Sequence, residues 1–138
     1  MYRPAIGKNA SFKGMKSVLL VFLGGGLGSV LRYLLSKGIN SATSPTFPSG
    51  TLVVNILACL VLGFVIGLAE ERQIISPSAR LFWTVGVCGG FSTFSTFSNE
   101  TLLLLQNSMT LSAALYVSLS LLLCLGATFG GMFLSGRI

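Results

Sequence analysis

The sequence predicts an all-α membrane protein of four transmembrane helices. Of its 138 residues, 52% are hydrophobic and only 9% are charged. A soluble domain carries roughly 25% Asp, Glu, Lys and Arg, so a water-facing surface of ordinary polarity cannot be assembled here. The few charges are also absent over long stretches. Ser17–Leu35 holds only Arg32, Gly50–Ala69 no ionisable residue but Cys59, and Leu81–Gly136 only Glu100 as a formal charge. A spanning helix takes roughly 20 apolar residues, so the last stretch must fold back on itself. The polar cluster Gln106-Asn107-Ser108, followed by Thr110, marks the turn. The spans then fall at about 17–37, 50–69, 80–106 and 110–134, within one domain covering 16–138.

Residues 1–15, MYRPAIGKNASFKGM, read as a mobile basic tail. Lys13 and Lys16 before an apolar run also fit a secretory signal. Against that, no small-x-small cleavage site follows, and the segment continues past Arg32-Tyr33 as Leu34-Leu35. The net charge of +6 is unevenly placed. Arg3, Lys8, Lys13, Lys16, Arg72, Arg80 and Arg137 fall on one side of four spans, and Lys37, with Arg32, on the other. The positive-inside rule therefore favours both termini in the cytoplasm, with the chain a multi-pass protein of the cell inner membrane. A start at Met15 would shrink the contrast to four against two. A basic run beside a membrane implies attraction to anionic lipid, and no nucleic-acid partner is expected. There is no His. Cys59, Cys88 and Cys124 lie in different spans without metal-ligand spacing, so they read as buried thiols that act as small hydrophobes.

The glycine pairs 24/28, 63/67, 86/90 and 126/130 imply close helix packing. The third span is unusual. Gly86, Gly89 and Gly90 precede Phe91, Phe94 and Phe97, which are interleaved with Ser92, Thr93, Ser95, Thr96 and Ser98. Such a glycine cluster permits the helix to break mid-membrane, which is tolerated only where the backbone is buried or lines a cavity. Carbonyls freed there could hold a cation. In the fourth span Tyr116, Ser120, Cys124 and Thr128 recur every four residues, along one helix stripe.

Asn55 inside the second span costs free energy unless its amide finds partners. An interhelical hydrogen bond, worth about 0.6 kcal/mol on average, would account for it alone. Its company argues for more, because Thr51 lies one turn earlier and the third and fourth spans add clustered hydroxyls. The chain has no Asp, and Glu100 is the only acid away from the polar end of the second span. Cation pathways usually carry carboxylates or ordered carbonyls. Here the side chains are mainly donors, with Arg32 near one mouth, and a phenylalanine ring edge is electropositive. The pattern suits a small anion. A proton-coupled exporter would need a carboxylate in the first span, which is lacking, and Glu100 lies near the end of the third. A purely structural subunit leaves the hydroxyl cluster unexplained. No nucleophile–base pair or metal set points to an enzyme.

In order and spacing, GGGLGSVLRY, SGTLVVNILACLVLGF and GVCGGFSTFSTFSNE resemble the signature segments of the CrcB/Fluc fluoride channels. The resemblance covers about residues 17–134, and its third segment is the most specific. It implies an antiparallel, dual-topology homodimer with two fluoride pores and passive export of cytoplasmic fluoride. It also implies that Phe94 and Phe97 contact fluoride, that Asn55 is the pore asparagine, and that Arg32 lies at a vestibule. Tyr116, Ser120 and Thr128 would continue a polar track, with Thr51, Thr93, Ser95 and Thr96 close by. Backbone carbonyls of Gly89 and Ser92 would bind a central structural sodium ion, four oxygens coming from two subunits. Ser92 stands where threonine is more usual, and Cys124 where a hydroxyl is more usual.

Overall fold

A computed structural model of the chain describes residues 8–43, 46–70 and 73–138, with side chains from residue 14 onward. Residues 1–7 of the expected tail, like Arg72 in the second loop, lie outside the described residues. Among the described residues the fold is entirely helical. Helix α1 runs from Lys8 to Ala42 and α2 from Ser49 to Glu70. A segmented third passage follows: a short α3 (Pro77–Leu81), a π-helical stretch Phe82–Cys88, and a single turn α4 (Gly89–Phe91). After two extended residues come α5 (Phe94–Gln106) and α6 (Thr110–Ser135).

Three helical stretches are long and apolar enough to cross a membrane: Gly14–Ala42, Ser49–Glu70 and Thr110–Ser135. The third passage does not qualify as one helix because it is interrupted, and α5 alone is 13 residues, short of the roughly 17 a span needs. At 1.5 Å per residue α1 is about 52 Å long, well beyond a hydrocarbon core of about 30 Å. Leucines and phenylalanines along α1 and α6 are exposed, among them Phe22, Leu122, Phe129 and Phe133. Such surfaces suit lipid or a partner and not water.

Local chemistry explains the segment ends. Ser76 caps α3, its hydroxyl accepting from the Ala79 N–H at 3.2 Å, and Pro77 stands at the first turn, where its missing N–H costs nothing. Thr93 caps α5 by accepting from the Thr96 N–H at 3.2 Å. Between α5 and α6, Ser108 takes a left-handed conformation (φ 58°) and the Asn107 side chain donates to the Leu103 carbonyl at 2.9 Å. Asn40 fastens the end of α1 to the start of α2 by accepting from the Gly50 N–H at 2.9 Å.

Packing rests on glycine. A Cβ on Gly24 would stand 2.7 Å from the Phe82 carbonyl and 2.9 Å from the Gly86 Cα, so α1 touches the π-helical stretch backbone to backbone. On α2, a side chain at Gly63 would collide with the Thr128 carbonyl, and one at Gly67 with Ser135. The expected pair Gly126/Gly130 behaves differently. A Cβ on either meets no described atom within 4 Å, and it is the neighbouring Gly131 that seats against Leu60 and Phe64. The helix stripe facing α2 is therefore set one residue away from the pair seen in the sequence. The small core joins Leu52, Leu104, Ala113 and Tyr116, with Phe47, Ile56, Phe97 and Met109 packed on it.

Gly63→Val forces a side chain into the α2–α6 backbone contact and is expected to cost about 1–3 kcal/mol or more. Gly14→Ala, in open space on a helix, should be neutral or stabilise by up to about 1 kcal/mol. Thermal unfolding in detergent checks the pair, and equal melting of both variants would contradict the packing.

Candidate functional site

The site is built on the interruption of the third passage. Ser92 (ψ 160°) and Thr93 (φ −152°, ψ 118°) are extended, so the Ser92 carbonyl and both backbone groups of Thr93 fall outside the helical ladder, while the Ser92 N–H still bonds the Cys88 carbonyl at 2.9 Å. Asn55 of α2 meets this gap from the side. Its Oδ1 accepts from the Thr93 N–H at 2.8 Å, and its Nδ2 donates to the Thr93 carbonyl at 3.2 Å. One side-chain amide thus pairs both backbone groups of one residue, as a neighbouring strand would.

This pairing has a consequence for two carbonyls. In an α-helix the Thr93 N–H would bond the Gly89 carbonyl, and the Thr96 N–H would bond that of Ser92. The first is diverted to Asn55 and the second to the Thr93 hydroxyl. Gly89 and Ser92 therefore present carbonyl oxygens without their helical donors, and Gly89 is exposed. Oxygens of this kind are the ligands a hard cation takes at an unwound helix. The donor set fits the sodium ion implied by the resemblance, although one chain supplies two of the four oxygens.

Two cavities flank the break. One, of about 280 Å³, is lined by Asn55, Ser92, Thr93, Phe94, Phe97 and Ser120, with Cys59 and Cys124 on its wall. The other, of about 360 Å³, has Arg32, Lys37, Thr51, Thr93, Thr96 and Glu100 around it. Thr93 belongs to both. Its hydroxyl also contacts those of Thr96 (3.0 Å) and Ser95 (3.3 Å). Phe94 is 78% exposed while touching Phe97 (centroids 5.6 Å apart), and Phe97 stacks obliquely on Tyr116 at 5.1 Å. The Ser120 hydroxyl is buried and has no hydrogen-bond partner among the described residues, so it is a donor held ready at the first cavity.

Other expected residues stand apart. The Thr128 hydroxyl donates to the Cys124 carbonyl of its own helix at 3.1 Å and lines neither cavity. Ser95 is exposed. Thr51 is buried, but its hydroxyl donates to Glu100 Oε1 at 2.9 Å, and the Tyr116 hydroxyl donates to Oε2 at 2.7 Å. In the sequence Glu100 lies near the end of the third span, a peripheral place. Instead it joins α2, α5 and α6 at the meeting point of the second cavity and a larger one of about 550 Å³ toward Phe47 and Met109. The signal that could have found it is its place within α5: Phe97, Glu100 and Leu104 follow at helical spacing, on the face that packs against Tyr116.

Asn55→Ala leaves the Thr93 N–H and carbonyl unpaired. It is expected to lower stability by about 2 kcal/mol or more, whereas Ser95→Ala should stay within about 0.5 kcal/mol of wild type. Thermal unfolding in detergent distinguishes them, and an unshifted Asn55→Ala would show that the pairing holds nothing.

Comparison with known proteins agrees with this architecture. The profile of the family described as CrcB-like protein, Camphor Resistance (CrcB) matches residues 19–132. A protein of Flavobacterium psychrophilum named fluoride-specific ion channel FluC is 47% identical over 124 residues, which cover 90% of this chain and 100% of that one. A protein of the same name from Phocaeicola vulgatus is 47% identical over 121 residues, 88% of this chain and 99% of its own. Another, from Shewanella sp. (strain ANA-3), is 45% identical over 117 residues, 85% and 94% respectively. With its apolar helices, this chain is a multi-pass membrane protein and belongs to the CrcB-like protein family.

Proposed function

We propose that this chain is a fluoride-specific ion channel of the cell inner membrane. It lets cytoplasmic fluoride leave passively and so confers resistance to fluoride. The relatives named for that activity span nearly their whole length in this chain, and they are channels, not enzymes. The observation that carries the reading is the first cavity, where a few uncharged donors stand in an otherwise apolar wall that includes Leu121 and Leu125. A small, strongly hydrated anion gives up water only where donors replace it. Ser120 has an unengaged hydroxyl there, and Asn55 keeps one of its two amide N–H groups beyond the bond to Thr93. Phe94 and Phe97 offer electropositive ring edges. In the second cavity Arg32 and Lys37 raise the local concentration of anions at the mouth.

The active unit is an antiparallel homodimer in the membrane, with two pores and the break of the third passage at mid-membrane. Two features support this. The exposed face of Phe94 and the outward Gly126 and Gly130 give a second copy room to approach, and two carbonyl oxygens from one chain are fewer than a hard cation takes. In that dimer the Gly89 and Ser92 carbonyls of both subunits would hold sodium, which supplies a fixed positive charge that offsets part of the anion's dehydration cost. Thr51, Thr96 and Tyr116 keep the Glu100 side of the path hydrogen-bonded, with Thr93 linking the two cavities. A negative cell interior drives fluoride outward, so no energy-coupling residue is required.

Liposomes holding the purified protein are expected to release fluoride under a potassium diffusion potential and to retain chloride. Equal efflux of both ions would refute selectivity. Phe94→Ile should slow fluoride efflux while the chain keeps its helical content, read by circular dichroism, because Phe94 is mostly exposed within the chain. Wild-type efflux in that variant would remove Phe94 from the path.

A further inference from the structure

The wall of the first cavity carries a chemistry that passage of a hard anion does not use. Cys59 of α2 and Cys124 of α6 both line it and are both partly exposed. Their spacing is set by rigid packing. One turn further along each helix, Gly63 lies directly on the Thr128 backbone, so α2 and α6 cannot separate at this level without losing that contact. Cys88 is buried and does not line the cavity.

We propose that Cys59 and Cys124 form a two-coordinate site for a thiophilic divalent cation, for which mercuric ion is the probe. Two sulfurs that line one cavity from adjacent, tightly packed helices can take up such a cation between them, and soft sulfur selects soft metals. The charge balance favours a divalent ion. Each thiol releases its proton to water when it binds metal, and the two thiolates then neutralise the 2+ charge. The same pair around a monovalent soft cation would leave a net negative charge in a low-dielectric wall, which is costly. The bound metal faces Asn55, Phe94, Phe97 and Ser120 across the cavity. It therefore closes the fluoride path, a consequence that rests on the function proposed above, whereas metal uptake itself does not.

The test uses the full-length protein, treated with mercuric chloride, washed with a monothiol and measured by intact mass. Wild type and Cys88→Ser are expected to retain one mercury per chain with the loss of two protons, and Cys59→Ser and Cys124→Ser to retain none. Mercury replacing a single proton at each cysteine of the wild type, or surviving the wash in Cys59→Ser, would overturn the site. In liposomes, fluoride efflux through Cys88→Ser should be lost on adding mercuric chloride and return with a dithiol. Retained mercury with undiminished efflux would overturn the placement in the path and leave the metal site standing. Absence of efflux before any mercury is added would count against the channel reading alone.

Discussion

The arrangement depends on one side-chain amide pairing with one extended residue. A helix interrupted within an apolar surrounding exposes backbone groups that water cannot reach, and each unpaired group costs on the order of kilocalories. Asn55 removes that cost at Thr93 in both directions. In doing so it stabilises the interruption, because the Thr93 N–H goes to Asn55 and not to the Gly89 carbonyl. The Thr93 hydroxyl extends the effect by capping α5, which withholds the Thr96 N–H from Ser92. A polar residue on α2 thus decides the backbone conformation of a segment 38 residues away and which oxygens that segment presents.

Around this point the chain separates two kinds of polar environment. On one side lies a small neutral cavity with hydroxyl, amide and aromatic edges. On the other, charges are gathered: Glu100 holds two hydroxyl donors, and Arg32 and Lys37 stand around the same cavity. A carboxylate within helices is tolerated where hydrogen bonds and nearby cations offset its desolvation. Glu100 has such hydrogen bonds from Thr51 and Tyr116, and it ties α2, α5 and α6 together where the helices leave space between them.

The rest of the architecture supplies close approach and a large apolar exterior. Backbone contact of α1 with the π-helical stretch, and of α2 with α6, needs glycine because any Cβ would meet a carbonyl or a Cα on the opposing helix. In lipid no hydrophobic force drives helices together, so contact area and short carbonyl approaches hold the bundle. The π-helical turn widens the helix just before the break, as such turns do at functional sites. The two partly exposed thiols sit on this same rigid α2–α6 seam.

The sequence by itself determined that the chain is helical and apolar and belongs in a membrane, since 9% charge cannot cover a soluble surface. It also marked the ends of the longest apolar runs, so α2, expected over 50–69, runs from Ser49 to Glu70, where charged residues end the run. The aromatic–hydroxyl segment stood out because its residue types are costly within a span unless they are used. Other features were not legible, because they depend on which faces meet. Periodicity indicated a stripe from Tyr116 to Thr128 but not that the Thr128 hydroxyl turns back on its own helix. Spacing paired Gly126 with Gly130, while rotation of α6 about its axis brought Gly131 to the seam. Glu100 looked peripheral along the chain and became central because three helices converge on it. The tertiary structure decided the partner of each polar group, since a hydrogen bond depends on distance and angle across helices and neither is written in the order of residues.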